Sequence, residues 1–82
     1  MPEKIRVLLV DDEPNILKMV GKRLEVEGFE VLLATDGQQA LTRVELDAPQ
    51  CIILDVMLPQ LNGYEVCAKL KQNPRHQHIP II

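Results

Sequence analysis

The chain has 82 residues, enough for one domain with a thin core, since a domain this small buries only about 60% of its unfolded surface. Phe29 and Tyr64 are its only aromatics, so Ile, Val, Leu and Ala must fill the interior. The formal charge is −3 with acids and bases interspersed, which argues against a basic nucleic-acid stripe. No apolar run approaches the about 18 residues of a membrane span.

Met1-Pro2-Glu3-Lys4 is neither a secretion signal nor a tag, and it reads as a cytosolic start. Ile5 to Val10 (IRVLLV) is almost continuously apolar, as suits a strand covered on both faces. It ends in Asp11-Asp12-Glu13. Pro14 then fits the first turn of a helix, with Asp12 or Glu13 expected to cap it. That helix is predicted to run to about Glu27, with Ile16, Val20 and Leu24 on one stripe and Leu17 beside it. Gly28 is the expected left-handed terminator.

Glu30 to Ala34 (EVLLA) reads as the second strand. Thr35-Asp36-Gly37 is a turn in which Thr35 or Asp36 caps a second helix, predicted from Gln38 to about Leu46. Its apolar face is Ala40, Leu41 and Val44, and Asp47-Ala48-Pro49 closes it. Cys51 to Leu54 (CIIL) is a short unalternating strand that stops at Asp55. Pro59 halts further strand. A third helix follows Gly63, carrying Tyr64, Val66, Cys67 and Leu70 with Lys69 and Lys71 outward, and Asn73-Pro74 ends it. His78 to Ile82 (HIPII) begins a fourth strand.

Strands alternating with helical segments point to an α/β fold with a parallel sheet, right-handed crossovers and helices on both faces. Cys51 and Cys67 lack metal-ligand spacing and read as reduced, buried thiols. His76 and His78 lie in the polar segment NPRHQH, expected to be a solvated loop rather than a metal site.

Ligand sites in doubly wound sheets form beyond the carboxyl ends of the strands. Strand one ends in Asp11-Asp12 and strand three in Asp55. If the two strands are neighbours, three carboxylates share one rim. Asp-Asp-Glu before proline is also what a capped helix start looks like, but capping does not account for Asp55. Crowded carboxylates repel unless a cation intervenes, and Mg²⁺ with oxygen ligands would relieve this. A carboxylate can also attack a phosphoryl donor and become an acyl phosphate. An Mg²⁺-dependent hydrolase is the competing class, but the chain carries no basic substrate loop and no general acid beside Asp55.

Four motifs in this order, VLLVDDEP (Val7–Pro14), DGQQAL (Asp36–Leu41), ILDVMLPQLNGYE (Ile53–Glu65) and HIPII (His78–Ile82), carry a family resemblance. The chain resembles the receiver domain of bacterial two-component response regulators from Ile5 to Ile82. The resemblance implies a flavodoxin-like doubly wound parallel sheet of order 2-1-3-4. It makes residues 1–82 a partial receiver domain that stops within strand four, without the fifth strand and last two helices of the family. It implies a phosphorylation-dependent switch rather than an enzyme, cytoplasmic, with Asp55 as the phosphoacceptor for a sensor histidine kinase or phosphotransfer protein. Mg²⁺ would be held by Asp11, Asp12 and Asp55, with the Met57 backbone carbonyl as a further ligand. No membrane and no direct nucleic-acid contact is expected of this segment. The family's hydroxyl residue after strand four and lysine after strand five have no counterpart here. Self-association through an exposed strand-four edge is therefore expected. The alternative reading is a truncated receiver-derived scaffold or self-associating fragment without signalling.

Overall fold

The computed structural model describes residues 4–54 and 63–82. Three strands, β1 (Arg6–Val10), β2 (Glu30–Ala34) and β3 (Cys51–Leu54), alternate with three helices, α1 (Pro14–Val26), α2 (Gly37–Asp47) and α3 (Gly63–Gln72). The sheet has the order β2-β1-β3, and both pairings are parallel. The most buried strand is thus the central one. Leu8 pairs with Leu32 on one side and Ile52 on the other, and Val10 pairs with Ala34 and Leu54.

Strand alternation divides the interior into two layers. Leu8, Val10, Ala34 and Ile52 join Ala40 and Val44 of α2, Val66 and Leu70 of α3, and Ile79 in one cluster. The largest fully buried side chains, Leu8, Ile52, Leu70, Val10, Val44 and Val66, all belong to it. Each is worth about 1.5–3 kcal/mol of burial for the larger aliphatics, so this layer supplies most of the apolar driving force. On the opposite face Val7, Leu9 and Leu17 are buried.

Helix α1 meets the sheet through Leu17 and Gly21. A Cβ on Gly21 would lie 3.7 Å from both Leu33 Cδ2 and Val31 Cγ1, so the helix passes over β2 closely. The expected stripe Ile16, Val20 and Leu24 is only half-buried. The reason is rotation: the Leu17–Gly21 line faces the sheet, and its neighbour one position back sits about 100° around the helix. The helix ends as expected, with Glu27 at the C-cap and Gly28 at φ 98°.

Helix α2 is capped by Asp36, whose Oδ1 accepts from Gln39 N–H at 2.8 Å. The Gln39 side chain reaches back to accept from Thr35 N–H at 2.9 Å, a reciprocal arrangement close to a capping box. Both thiols are half-buried rather than buried, and both are unpaired. Cys51 alternates with Ile52 and so faces the α1 side of the sheet, away from α3 and Cys67.

Three other expectations need correction. Tyr64 is 74% exposed, because Gly63, Val66 and Leu70 form the inward line of α3. His76 is buried, not solvated, and its Nε2 lies 3.8 Å from Glu45 Oε1. The cause is the turn after α3: Asn73 O accepts from His76 and Gln77 N–H, both at 2.9 Å, and folds the segment under the core. Lys71 is not simply outward, since its Nζ donates to Gln77 O at 3.1 Å. His78 to Ile82, expected to begin a fourth strand, does so beside β3. It joins β3 by one parallel bridge, Ile81 to Ile52, with Ile52 N–H donating to Pro80 O and Leu54 N–H to Ile82 O.

Gly28 allows a clean test, because a Cβ there would meet nothing within 4 Å. Any cost of Gly28→Ala is therefore conformational, about 1 kcal/mol for a left-handed alanine, and Gly28→Asn should lose less. Urea unfolding of the two variants checks both the size and the order.

Candidate functional site

The rim at the carboxyl ends of β1 and β3 is set by backbone pairing. Val10 and Leu54 are in-register partners on adjacent parallel strands, whose spacing is about 4.8 Å. The next residues in sequence are Asp11 and Asp55. Asp55 and Met57, the expected nucleophile and carbonyl ligand, lie outside the described residues, as do Pro59 and Asn62. What is described is the half of the rim built by Asp11, Asp12 and Glu13.

These three acids have different surroundings. Asp11 extends the ladder, its N–H donating to Ala34 O at 3.1 Å. Its Oδ1 accepts from Glu13 N–H at 2.9 Å, which leaves Oδ2 uncommitted by that bond. Glu13 is the N-cap residue of α1, with φ −97° and ψ 110°, and its side chain makes no capping bond. Asp12 is exposed, and among the described residues its carboxylate makes no hydrogen bond or ion pair.

The expectation that Asp12 or Glu13 caps α1 is therefore corrected. Asp11 ties down the loop by an aspartate turn to the residue two further on, and Pro14 at the first helical turn removes one donor that would need a cap. With Asp11 in that structural role, capping no longer explains Asp12. Carboxylates on consecutive residues, one of them exposed and unpartnered within the described set, form an oxygen-donor pair of the type hard divalent cations take. No third His, Cys, Asp or Glu completes a cluster among the described residues.

Sequence reasoning did not single out Asp11 as the residue that organises the loop. A signal was present, because Asp side chains accept from the N–H two residues on when a strand turns into a helix. The groove of about 450 Å³ between β2 and α2, lined by Leu33, Gln39, Thr42, Arg43 and Leu46 among others, lies on the flank of the sheet rather than at this rim.

Residues 7–82 match the model of the response regulator receiver domain. The chain belongs to that family. It is 46% identical over 67 residues to the alkaline phosphatase synthesis transcriptional regulatory protein PhoP of Bacillus subtilis, covering 82% of this chain and 28% of that protein. It is 42% identical over 77 residues to the response regulator PleD of Caulobacter vibrioides, covering 94% of this chain and 17% of that one. The chain thus spans less than a third of the length of these relatives.

Among solved structures, the receiver domain of the sensor histidine kinase PA1611 from Pseudomonas aeruginosa superposes with a TM-score of 0.90 at 29% identity. The match covers 96% of this chain and 65% of that one, and that structure holds a magnesium ion coordinated in its active-site cleft. The fold is accordingly flavodoxin-like, and receiver domains serve two-component phosphorelay signalling. None of the helices described in this receiver is long and apolar enough to cross a membrane.

The different roles of Asp11 and Asp12 should separate in stability. Asp11→Ala removes the loop bond and is expected to cost about 1 kcal/mol, in the range of lost helix caps. Asp12→Ala should stay within about 0.5 kcal/mol, as an exposed substitution without a partner does. Urea midpoints of the two variants, measured without divalent cations, give the comparison.

Proposed function

We propose that this receiver accepts a phosphoryl group on Asp55 and works as a phosphorylation-dependent signalling switch. The supporting observation is the pairing of Val10 with Leu54, which ends β1 and β3 side by side, one followed in sequence by Asp11-Asp12 and the other by Asp55. In the reaction a carboxylate oxygen of Asp55 attacks phosphorus in line. The bond to the donor histidine nitrogen breaks, its electron pair stays on the imidazole, and an acyl phosphate forms on Asp55.

The donor set fits Mg²⁺. Asp12 would hold the ion directly, Asp11 through the oxygen that Glu13 does not occupy, and Asp55 and the Met57 backbone carbonyl would complete the protein's share. The bound ion supplies charge compensation for the crowded carboxylates and the incoming phosphoryl oxygens. Asp11 has a second task, holding the start of α1 against the rim so that Asp12 is presented there.

The partner implied is a sensor histidine kinase or a phosphotransfer protein in the cytoplasm, with residues 1–82 acting as a partial receiver domain. The interspersed charge of the chain supports no direct nucleic-acid contact by this segment. The other reading, a receiver-derived scaffold or self-associating fragment without signalling, draws on segment 80–82, where Ile82 is 76% exposed on the outer side of β3.

Incubation with a small acyl-phosphate donor and Mg²⁺ should add one phosphoryl group, read by intact mass. Asp55→Asn should abolish it, and Asp12→Asn should slow it by about tenfold or more through loss of metal. Unchanged labelling of Asp55→Asn would refute the assignment, and no labelling of the wild type would favour the scaffold reading. Mg²⁺ should also raise the melting temperature. At tenfold excess over its Kd the gain is about 1.4 kcal/mol, and it should vanish in Asp12→Asn.

A further inference from the structure

The edge of the sheet formed by β2 carries a feature that the phosphorylation site does not use. Glu30 N–H donates to Ile5 O, and Ala34 O accepts from Asp11 N–H. In a parallel ladder successive residues alternate in direction, so Glu30, Leu32 and Ala34 turn their backbone groups to β1. Val31 and Leu33 turn theirs outward. Among the described residues no strand pairs with this edge.

The edge also lacks the usual protection. Its sequence, EVLLA, holds no lysine, proline or glycine, and Leu33 is 42% exposed. Two grooves flank it and leave the strand open from both faces. One, of about 350 Å³, lies between α1 and β2 and is lined by Lys18, Lys22, Glu25, Val31 and Leu33 among others. The second, of about 450 Å³, runs between β2 and α2.

We propose that this edge pairs with the same edge of a second copy, antiparallel, giving a symmetric dimer with a continuous six-stranded sheet, three strands from each copy. A two-fold axis at Leu32 makes Val31 of one copy and Leu33 of the other a hydrogen-bonded pair, each using its outward N–H and C=O. Glu30 then faces Ala34 of the other copy, so no like charges meet along the strands.

The charge pattern of α1 selects a second copy over an unrelated strand. Gly21 sits over Val31 and Leu33, hence at the level of the axis. Lys18 and Glu25, three residues before it and four after it, both line the groove on the open side. The two-fold rotation runs the two α1 helices antiparallel and exchanges their ends. Lys18 of each copy therefore comes opposite Glu25 of the other. Lys22, nearest the axis, meets its own counterpart, a repulsive pair. The interface is isologous and closes at two copies.

Sedimentation equilibrium of the purified full chain over a range of concentrations tests this. The wild type should follow a monomer–dimer equilibrium, with no larger species. Leu33→Pro removes an outward N–H that the intrachain ladder does not need, and it should weaken dimerisation about tenfold or more. Lys18→Glu should weaken it about fivefold, and Lys18→Glu combined with Glu25→Lys should return it to within about twofold of wild type. Lys22→Ala should tighten it. If Leu33→Pro fails to fold, the charge reversal and its rescue decide alone. A wild type that stays monomeric, an assembly larger than two, or a double variant no better than Lys18→Glu would overturn the proposal. So would a dimer that tolerates Leu33→Pro and is lost in Ile82→Lys, which would place the contact on the other edge of the sheet.

Discussion

Parallel pairing of β1 with β3 is the constraint on which the rest of the molecule depends. Slipping that register by one residue would put Leu8 and Ile52, both fully buried, on opposite faces of the sheet. The core cluster of α2 and α3 therefore fixes the register, and the register fixes where each strand ends. The last pair is Val10 with Leu54. A packing requirement in the interior thus determines which polar residues follow one another along the rim, at no cost to the core, because the first acid on each strand comes immediately after its last paired residue.

At the rim the same residue type is used for opposite purposes. Asp11 is anchored at both its N–H and its carboxylate, which makes the passage from β1 to α1 a defined turn. Asp12, one residue on, is exposed with no described partner. A loop held by Asp12 itself would have consumed the carboxylate that is left exposed at the rim. Proline at the first turn contributes by lacking a donor that would otherwise compete for the carboxylates.

Much of this was legible in the chain because the relevant signals are local. The unalternating runs LLV and IIL mark strands covered on both faces, Gly28 marks a left-handed helix end, and Asp36 three residues before Gln39 marks a cap. The family motifs likewise lie in short contiguous stretches. What was not legible depends on tertiary placement. His76 is polar and flanked by polar residues, and its burial follows from the Asn73 turn, which brings it beside Glu45. The inward line of α1 could not be chosen between two adjacent apolar stripes until Gly21 was seen to pass over β2. Asp55 and Met57, the proposed nucleophile and carbonyl ligand, follow from the motif in the sequence and lie outside the described residues.

The two faces of the sheet are unequal in how much they bury. The α2–α3 face contains all the largest fully buried side chains and is closed below by Ile79. The α1 face rests on Val7, Leu9 and Leu17, with the stripe Ile16, Val20 and Leu24 only half-buried. Helix α1 contributes one buried apolar side chain, Leu17, where α2 contributes Ala40 and Val44 and α3 contributes Val66 and Leu70. It begins at the acidic rim and is tied to it by Asp11. The layer that holds the strand register therefore lies on the face of the sheet away from the helix that the rim anchors.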